Sequence, residues 1–478
     1  MRKTKIIATI GPSSRDEATL EKLIEAGMDV ARLNFSHGTF PEHEEVIRRV
    51  RRLSEKHHRH VAILQDLGGI KLRLGHLEPT QLEHGDEVTI TTQERSDDPK
   101  VLPFPQPEVL KNLKPGNLVY ISDGVVCLEV LSTTGTEVKT RVRNGGLLSS
   151  FKGVNLPEVF IDLPVLTEAD KAALRFGVEQ GVDWVAVSFV RTAEDVRYAK
   201  TFLASIGSTA PVMAKLERAE CIGNIDEILL EVDGVMVARG DLGVEIPMAR
   251  VPVVQKELVR KANAAAKVSC IATQMLRSMV VSPTPTRAEV SDISNAVLDG
   301  CDSILLSDEI AVGQFPVEAV RVADITIRES ETIYPYHKDF QSRDRTGAIA
   351  DGAGRLAHTL NSIPIVITST GRAAFQISRS RPENDILVFS HDTAVLRRVC
   401  MGWGLVPIGV IPPEPDIAKL IEMLIEASLQ SGLVNESDVV TIVHGFMTGI
   451  SGTTNSIQVL YVRDYLTRNA ELALAAVK

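Results

Sequence analysis

Short apolar runs rich in β-branched residues alternate with longer amphipathic runs along much of the chain. The short runs have the length of buried strands, and the runs that follow them place apolar residues at helical spacing. Eight such strand–helix units predict a parallel (β/α)8 barrel, the TIM-barrel fold. The predicted strands are Lys5–Ile10, Val30–Asn34, Val61–Asp66, Trp184–Ser188, Val212–Lys215, Gly234–Ala238, Ser269–Ala272 and Ser303–Leu306.

The amphipathic runs give the predicted barrel helices, and one of them carries signals at both ends. Thr286 and Glu289 have the spacing of a capping box, and Gly300 has the position of a C-terminal stop. The predicted helices are Arg15–Ala26, Pro41–His57, Thr167–Phe176, Ala193–Leu203, Ala219–Glu231, Val253–Ala265, Arg287–Asp299 and Val317–Glu329.

The alternation is interrupted once and later restarts as a separate series. Between residues 70 and 163 the helical period disappears, and segments such as EVTITT and EVKTRVR alternate like strands between turn residues. We therefore expect an all-β lid domain over 70–163, inserted into a barrel formed by residues 1–69 and 164–335. A new strand–helix series predicts a three-layer α/β domain over 336–478, with strands near Ile363–Thr368, Ile386–Phe389, Val406–Gly409 and Val439–Val443.

Charge and cysteine usage argue against several classes of function. The 52 Lys and Arg residues and 62 Asp and Glu residues give a net charge of −10, without the broad positive field of a nucleic-acid or anionic-membrane binder. Five scattered cysteines without a CxxC pair disfavour a zinc site and a disulfide framework. The first apolar stretch is too short for a signal peptide, and no run suits a membrane span. We expect a cytoplasmic protein without nucleic-acid or membrane partners.

The candidate chemistry lies at the carboxyl ends of the predicted barrel strands, where TIM-barrel active sites form. Lys215 and Glu217 are two residues apart in an extended segment, so their side chains point the same way. Glu217 and Asp241 offer two carboxylates, which suits Mg²⁺ or Mn²⁺ completed by substrate oxygens and water. Lys215 would then neutralise charge that develops during a reaction. The other strand-end residues are Arg32, Asn34, Ser36, His37, Asp66, Ser188, Arg239, Gly240, Thr273, Gln274 and Ser307.

Each of these residues also has an ordinary structural interpretation. A Lys and a Glu two apart are usually a solvated ion pair on the surface. Asp241 could simply cap the next helix, and Thr273 could be an ordinary strand residue. His37 could be a loop histidine, and Arg73 could only solvate a hinge. Taken singly, none of these residues establishes a site.

Several longer motifs occur in one order through nearly the whole chain. They are TKIIATIGPSS, ARLNFSHG, FKGVNLP, VMAKLERAE, MVARGDLGVEIP, ATQML and PTPTRAEVSDISNAVLDGCDSILLSDE. Together they resemble the pyruvate kinase family. The resemblance implies a glycolytic phosphotransferase that moves the phosphoryl group of phosphoenolpyruvate to ADP, giving pyruvate and ATP. It also implies a homotetramer and a regulatory C-terminal domain.

The resemblance also implies roles for individual residues. Lys215, Thr273 and Arg32 would be catalytic and would bind phosphoenolpyruvate together with Gly240 and Asp241. The metal would be held by Glu217 and Asp241, and the nucleotide by Asn34, His37, Arg73 and Lys152. Two other functions stay open at this point. One is another metal-dependent barrel enzyme acting on phosphoenolpyruvate or a 2-oxo acid, and the other is a catalytically silent phosphosugar sensor.

The family's monovalent-cation positions match Asn34, Ser36, Asp66 and Leu67. The resemblance separates potassium-dependent from potassium-independent members, and the combination of Leu67, Lys71 and Leu74 has the potassium-independent pattern. An ammonium group tethered at Lys71 can supply the positive charge that a bound K⁺ would bring. We therefore expect activity without K⁺, although Lys71 could also be a solvated hinge lysine.

One loop of the C-terminal domain is a candidate effector site. It follows a predicted strand, precedes a helix and consists of Thr368, Ser369, Thr370, Gly371 and Arg372. Such a loop can hold a phosphate on its backbone N–H groups, or it can be a plain turn with hydroxyl caps. It resembles the effector phosphate loop of the family, but Ala373 stands where fructose-bisphosphate-binding members have Ser. We expect a different phosphorylated sugar or a nucleotide as effector.

Overall fold

The computed structural model describes residues 1–122, 124–157, 159, 163–342, 344–445 and 452–467. Eight parallel strands form a closed barrel in which each strand pairs with its neighbours along the chain, and the last pairs with the first. Every strand lies within one residue of its predicted bounds at each end. The strands are Lys5–Thr9, Val30–Asn34, Ala62–Asp66, Trp184–Val187, Val212–Leu216, Gly234–Ala238, Val268–Ala272 and Ser303–Leu306.

The barrel helices pack their apolar faces on these strands in one continuous core. The predicted helix Ala219–Glu231 is wrong as a single element, because the chain forms two helices that meet at Asn224. Gly223 and Asn224 are both poor helix formers, which explains the break. The barrel helices are Glu17–Ala26, Phe40–Lys56, Glu168–Glu179, Ala193–Ser205, Glu220–Gly223, Ile225–Glu231, Arg239–Glu245, Val251–Ala264, Arg287–Asp299, Asp308–Ala311 and Pro316–Glu331.

The end signals read from the sequence operate as expected in the helix Arg287–Asp299. The Thr286 hydroxyl accepts the Glu289 N–H, and the Glu289 carboxylate accepts the Thr286 N–H. Gly300 follows in the left-handed conformation, with φ of 87°, where a side chain would be strained. These caps fix the helix that follows the seventh barrel strand.

The segment after the third barrel strand has its own apolar core, separate from that of the barrel. Its main sheet has six strands, and a single helical turn, Pro107–Leu110, lies between two of them. The predicted lid includes residues 158 and 160–162, which lie outside the described residues. The strands are His76–Leu77, Thr80–Leu82, Glu87–Thr91, Arg95–Ser96, Val101–Pro103, Leu118–Ile121, Val126–Thr133, Glu137–Asn144, Gly146–Leu148 and Val154–Asn155.

The C-terminal region forms a five-stranded sheet with helices on it. Four strands were predicted, and the fifth, Thr454–Tyr461, pairs antiparallel at one edge. Residues 468–478 of the predicted domain lie outside the described residues. The strands are Ile363–Ile367, Ile386–Ser390, Leu405–Val410, Val439–Gly445 and Thr454–Tyr461, and the helices are Arg345–Leu360, Arg372–Ser378, Thr393–Arg398 and Ile417–Gln430.

The C-terminal region closes the amino-terminal end of the barrel. The Trp184 indole N–H donates to the Arg398 carbonyl at 2.9 Å, and Arg397 pairs with Asp183 at 2.7 Å. Met401 packs with apolar side chains from the barrel interior. The opposite mouth, at the carboxyl ends of the strands, is left to face the lid. Among the described residues, no helix has the length and apolar character needed to span a bilayer.

Candidate active site

A buried lysine lies at the centre of the barrel mouth. Lys215, from the strand Val212–Leu216, places its Nζ 2.8 Å from Glu217 and 3.3 Å from Asp66. The same ammonium donates to the Ser188 hydroxyl at 2.7 Å, and that hydroxyl donates to the Leu67 carbonyl at 2.8 Å. The ends of three neighbouring strands, Ala62–Asp66, Trp184–Val187 and Val212–Leu216, thus converge on one cation.

Asp66 holds two cations at once. Its side chain is fully buried and accepts the Arg32 Nε–H at 2.7 Å, in addition to facing Lys215. Burial alone would raise the pKa of this carboxyl, but the charges of Lys215 and Arg32 outweigh it and lower the pKa. Asp66 is therefore an anion that orients both cations toward the mouth.

Lys215 is correspondingly stabilised as an ammonium. Burial by itself lowers the pKa of a lysine, but Asp66 and Glu217 more than offset it and raise the pKa of Lys215 above its ordinary value. The side chain keeps only 12% of its surface exposed. A desolvated positive charge in a fixed position interacts strongly with any anion bound in the mouth.

Glu217 is fixed by a main-chain donor as well as by Lys215. Its Oε2 accepts the Phe189 N–H at 2.8 Å, and the residue is 2% exposed. Phe189 has a φ of 57°, in the left-handed region, which aims this N–H at the carboxylate. The sequence offers no signal for the Phe189 contact, because it depends on a strained backbone.

Thr273 lies just beyond the strand Val268–Ala272 with a φ of 73°. This conformation is strained for a β-branched residue, so the alternative interpretation of Thr273 as an ordinary strand residue does not describe the structure. Arg239 holds the strained turn by donating to the carbonyls of Thr273, at 2.7 Å, and Ala272, at 3.3 Å. Arg239 in turn pairs with Asp292 at 2.7 Å. Sequence reasoning placed Arg239 at a strand end but missed this clamping contact.

Gly240 and Asp241 begin the short helix Arg239–Glu245 after the sixth strand. The interpretation of Asp241 as a cap for the next helix is wrong, because Asp241 lies inside this helix. The Gly240 N–H donates to the Thr273 hydroxyl at 2.8 Å. In this arrangement that N–H is already used, so it can reach a substrate only if the hydroxyl turns away.

A cavity of about 690 Å³ lies between the lid and the barrel mouth. The described residues that line it include five cations and one carboxylate, so an anion fits there. Two of the four predicted nucleotide residues are among them, whereas Asn34, at the end of the strand Val30–Asn34, and His37, in the turn that follows, do not line the cavity. The charged lining residues are Lys71, Arg73, Lys152, Arg191, Arg218 and Asp241.

Most of the predicted monovalent-cation oxygens have protein partners in this structure. The Asn34 side-chain oxygen accepts the Ser36 N–H at 3.1 Å, and the Leu67 carbonyl accepts the Ser188 hydroxyl at 2.8 Å. Asp66 is engaged by its two cations. Burial is the largest cause of the lowered pKa of Lys71, and the positive charges of Lys215 and Arg73 lower it further. The negative charges of Asp241 and Glu217 oppose this shift.

Comparisons with known proteins identify the family of the chain. Residues 1–320 match the family model described as pyruvate kinase, barrel domain, and residues 347–460 match the one described as pyruvate kinase, alpha/beta domain. The chain belongs to the pyruvate kinase family. Pyruvate kinase 2 of Synechocystis sp. is 39% identical to it, covering 100% of this chain and 82% of the relative. The pyruvate kinases of Geobacillus stearothermophilus and Thermococcus litoralis are also 39% identical, covering 98% and 96% of this chain and 81% and 98% of the relatives.

Family membership confirms the resemblance drawn from the motifs. It also confirms the predicted TIM barrel with lid and C-terminal α/β domain, and the class of enzyme, a phosphotransferase with pyruvate kinase function. Pyruvate kinases use a divalent metal.

The carboxylates suggested for the metal have suitable chemistry for a pyruvate kinase site. Glu217 and Asp241 follow two neighbouring barrel strands, Val212–Leu216 and Gly234–Ala238, at the carboxyl end of the barrel. Two carboxylates with room for substrate oxygens and water are the donors that Mg²⁺ and Mn²⁺ accept. Among the described residues, the one geometric cluster of three metal-type ligands lies elsewhere, at Glu21, Glu25 and His57, where Lys56 already pairs with Glu21.

The loop predicted to bind an effector has the contacts of a capped turn. The Thr368 hydroxyl accepts the Gly371 N–H at 3.0 Å, and the Thr370 hydroxyl accepts the Arg372 N–H at 3.4 Å. Arg372 is exposed and pairs with Asp344 at 3.3 Å. The hydroxyl-cap interpretation therefore describes this structure, and phosphate binding by Ser369 and its neighbours stays a prediction.

Proposed function

We propose that this chain transfers the phosphoryl group of phosphoenolpyruvate to ADP, with Lys215 as the central catalytic residue. The observation that carries the proposal is the Lys215 ammonium, buried and held between Asp66 and Glu217 where three strand ends meet. Phosphoryl transfer needs positioned positive charge more than covalent chemistry. Lys215 and Arg32, both oriented by Asp66, supply two such charges on one side of the mouth.

Glu217 and Asp241 are the residues that would hold the divalent metal, Mg²⁺ or Mn²⁺. When bound, the metal supplies positive charge that neutralises phosphoryl and carboxylate oxygens. The Phe189 N–H donates to one oxygen of Glu217, and the other oxygen lies 2.8 Å from the Lys215 ammonium. The Lys215 ammonium, which Asp66 orients, would contact the phosphoryl group.

Thr273 and Gly240 belong to the part of the site that would receive the carboxylate and the enolate carbon of the substrate. The strained turn and the contact of Arg239 with the Thr273 carbonyl hold the main chain of Thr273, and its hydroxyl accepts the Gly240 N–H at 2.8 Å. This hydroxyl would deliver or relay the proton that converts enolate to pyruvate. The N–H groups of Gly240 and Asp241 would donate to the substrate carboxylate once the Thr273 hydroxyl turns away from Gly240.

The cationic cavity under the lid is the proposed nucleotide site. Arg73 and Lys152 would contact the phosphates, because both line the cavity and both side chains are exposed. Asn34 and His37 would approach the nucleotide from the barrel side. Lys71 would take the place of a potassium ion, so that the cation positions at Asn34, Ser36, Asp66 and Leu67 need no ion for activity.

Three further expectations from the sequence stay predictions. They are a homotetramer, a cytoplasmic location and a phosphorylated effector held by residues 368–372. The predicted domain limits 1–69, 70–163, 164–335 and 336–478 are proposed on the same basis. They are supported by the separate apolar cores of the barrel and the lid.

A coupled assay of the purified protein tests the proposed function. Phosphoenolpyruvate, ADP and Mg²⁺ should give pyruvate and ATP in equal amounts, with no pyruvate when ADP is omitted. Pyruvate formed without ADP would indicate another barrel enzyme acting on phosphoenolpyruvate. No turnover, together with tight binding of a sugar phosphate, would indicate a silent sensor.

A further inference from the structure

Phe151 is an aromatic residue in an unfavourable setting. Its side chain is 57% exposed, and its φ of 63° lies in the left-handed region that large side chains avoid. An exposed apolar ring and a strained backbone both cost free energy, so their combination at one residue calls for a compensating role. The residue lies directly before Lys152, one of the proposed nucleotide contacts.

The main chain around Phe151 is fixed on both sides. Its N–H donates to the Gly75 carbonyl at 3.3 Å, and its carbonyl accepts Arg73 Nη1 at 2.8 Å. The next carbonyl, that of Lys152, accepts the Leu74 N–H at 2.9 Å. These hydrogen bonds fix the main chain that carries the Phe151 ring, and the Arg73 guanidinium supplies one of them.

The ring lines the cationic cavity of about 690 Å³, whose charged side chains are named above. The His76 and Phe151 rings form a T-shaped pair with centroids 6.3 Å apart, and Phe151 stays 57% exposed beside this contact. A cavity that combines several cations with an exposed aromatic ring suits a ligand that has both a polyanionic tail and a planar ring. A nucleoside diphosphate has both parts, whereas phosphoenolpyruvate lacks the planar ring.

We propose that the Phe151 ring is a stacking surface for the base of the nucleoside diphosphate, an inference that rests on the proposed function. Arg73 and Lys152 would hold the phosphates. Phe151 would stack on the face of the base, so the contact would depend on the area of that face and not on the hydrogen-bonding groups at the edge of the base. A purine offers a larger face than a pyrimidine. Phe151 would therefore favour purine over pyrimidine diphosphates at this site.

A binding measurement tests the contact without reference to turnover. In Phe151→Trp, the added indole is exposed, whereas Trp184 and Trp403 are buried and provide the background measured in the parent protein. ADP alone, without phosphoenolpyruvate, should quench the added emission saturably, and inorganic pyrophosphate should not. Saturable ADP binding that leaves the added emission unchanged would overturn the proposal.

Steady-state kinetics give an independent test. In Phe151→Ala, the KM for ADP should rise roughly tenfold, which corresponds to the loss of one stacked base. The KM for phosphoenolpyruvate and kcat should stay within about twofold of the parent values, and the ratio of the KM for UDP to that for ADP should fall toward one. Leu147→Ala is the matched control, because Leu147 is an exposed lid residue that does not line the cavity.

The possible failures are distinguishable. An unchanged KM ratio for the two nucleotides in Phe151→Ala overturns the stacking role even if the parent is a fully active kinase. An equal rise in KM for both substrates also overturns it, because Phe151 would then act by packing the lid. If the parent produces no pyruvate at all, the proposed function fails, and the quenching of Phe151→Trp by ADP still decides the stacking contact.

Discussion

The hydroxyl of Thr273 accepts the Gly240 N–H at 2.8 Å and thereby joins the ends of two neighbouring barrel strands. The threonine makes this contact from a left-handed backbone conformation that its β-branched side chain disfavours. Arg239 stabilises the conformation by donating to the Thr273 carbonyl at 2.7 Å. The hydroxyl is therefore held by contacts that local sequence preference would not produce.

We expect Thr273→Val to lower kcat by about 10²-fold, because it removes the positioned hydroxyl while keeping the shape of the side chain. Thr273→Ser, which keeps the hydroxyl, should stay within several-fold of the parent. Initial rates of pyruvate formation at saturating substrates provide the measurement. Equal rates for the Val and Ser variants would contradict a role for the hydroxyl.

Glu217→Gln should raise the Mg²⁺ concentration needed for half-maximal activity by about tenfold or more, since one of two carboxylate donors becomes a neutral amide. The amide oxygen can still accept the Phe189 N–H, so the fold around the site should survive. The measurement is a Mg²⁺ titration of activity. Glu227→Gln, at an exposed helix position, is the control and should titrate like the parent.

Lys71→Glu should make the enzyme depend on K⁺, whereas the parent should turn over without it. The reason is that Lys71 already supplies a positive charge near Lys215 and the two carboxylates. Turnover is compared with and without K⁺ in Na⁺-free buffer at an ionic strength fixed by tetramethylammonium. The exposed lid variant Lys139→Glu controls for the added negative charge. A large stimulation of the parent by K⁺ would exclude this role for Lys71.

Glu245 gives a pH dependence of stability. This buried carboxyl pairs with Arg218 at 3.1 Å, and Arg218 also donates to the Val159 carbonyl of the lid at 3.3 Å. Burial raises the pKa of Glu245 to about 7, against the opposing charge of Arg218. The folded state therefore holds this proton more tightly than the unfolded chain, and the contribution of Glu245 to the free energy of unfolding falls as pH rises from about 4.5 to about 7.

Glu245→Gln should remove that contribution, because the amide does not titrate. The difference in apparent Tm between variant and parent should shift in favour of the variant as pH rises from 5 to 8, by a few degrees. Differential scanning calorimetry at matched ionic strength measures it. A difference that stays constant across this range would show that Glu245 is ionised at every pH in the folded protein.

Local sequence patterns predicted the barrel well, because each strand and the helix after it follow from short apolar runs and their caps. The edge strand Thr454–Tyr461 escaped prediction because an edge strand is only half-buried and its apolar pattern is weak. The break at Asn224 was also missed, since the apolar period continues through it. One error is therefore a missed strand at a sheet edge, and the other is a missed break within a correctly located helical segment.

Some features of the candidate site could likewise be predicted from the sequence, and others could not. Lys215, Glu217 and Asp66 could be grouped from the sequence, because parallel strands bring their carboxyl ends to one mouth. The strained turn at Thr273 and the tie between Arg218 and the lid could not, because both arise from contacts between distant segments. For the same reason, the sequence predicted both Arg73 and His37 as nucleotide contacts, although only Arg73 lines the cavity under the lid.

The central claim is that the Lys215 ammonium, held by Asp66 and Glu217, stabilises the phosphoryl group during transfer. Lys215→Met keeps the length of the side chain and removes its charge, so phosphoenolpyruvate should still bind. Rapid-quench single-turnover measurement of ATP formation, with phosphoenolpyruvate binding measured on the same protein, tests the claim directly. We predict a transfer rate about 10²-fold or more below that of the parent, with the variant folded and saturable by phosphoenolpyruvate. A transfer rate close to that of the parent would contradict the account.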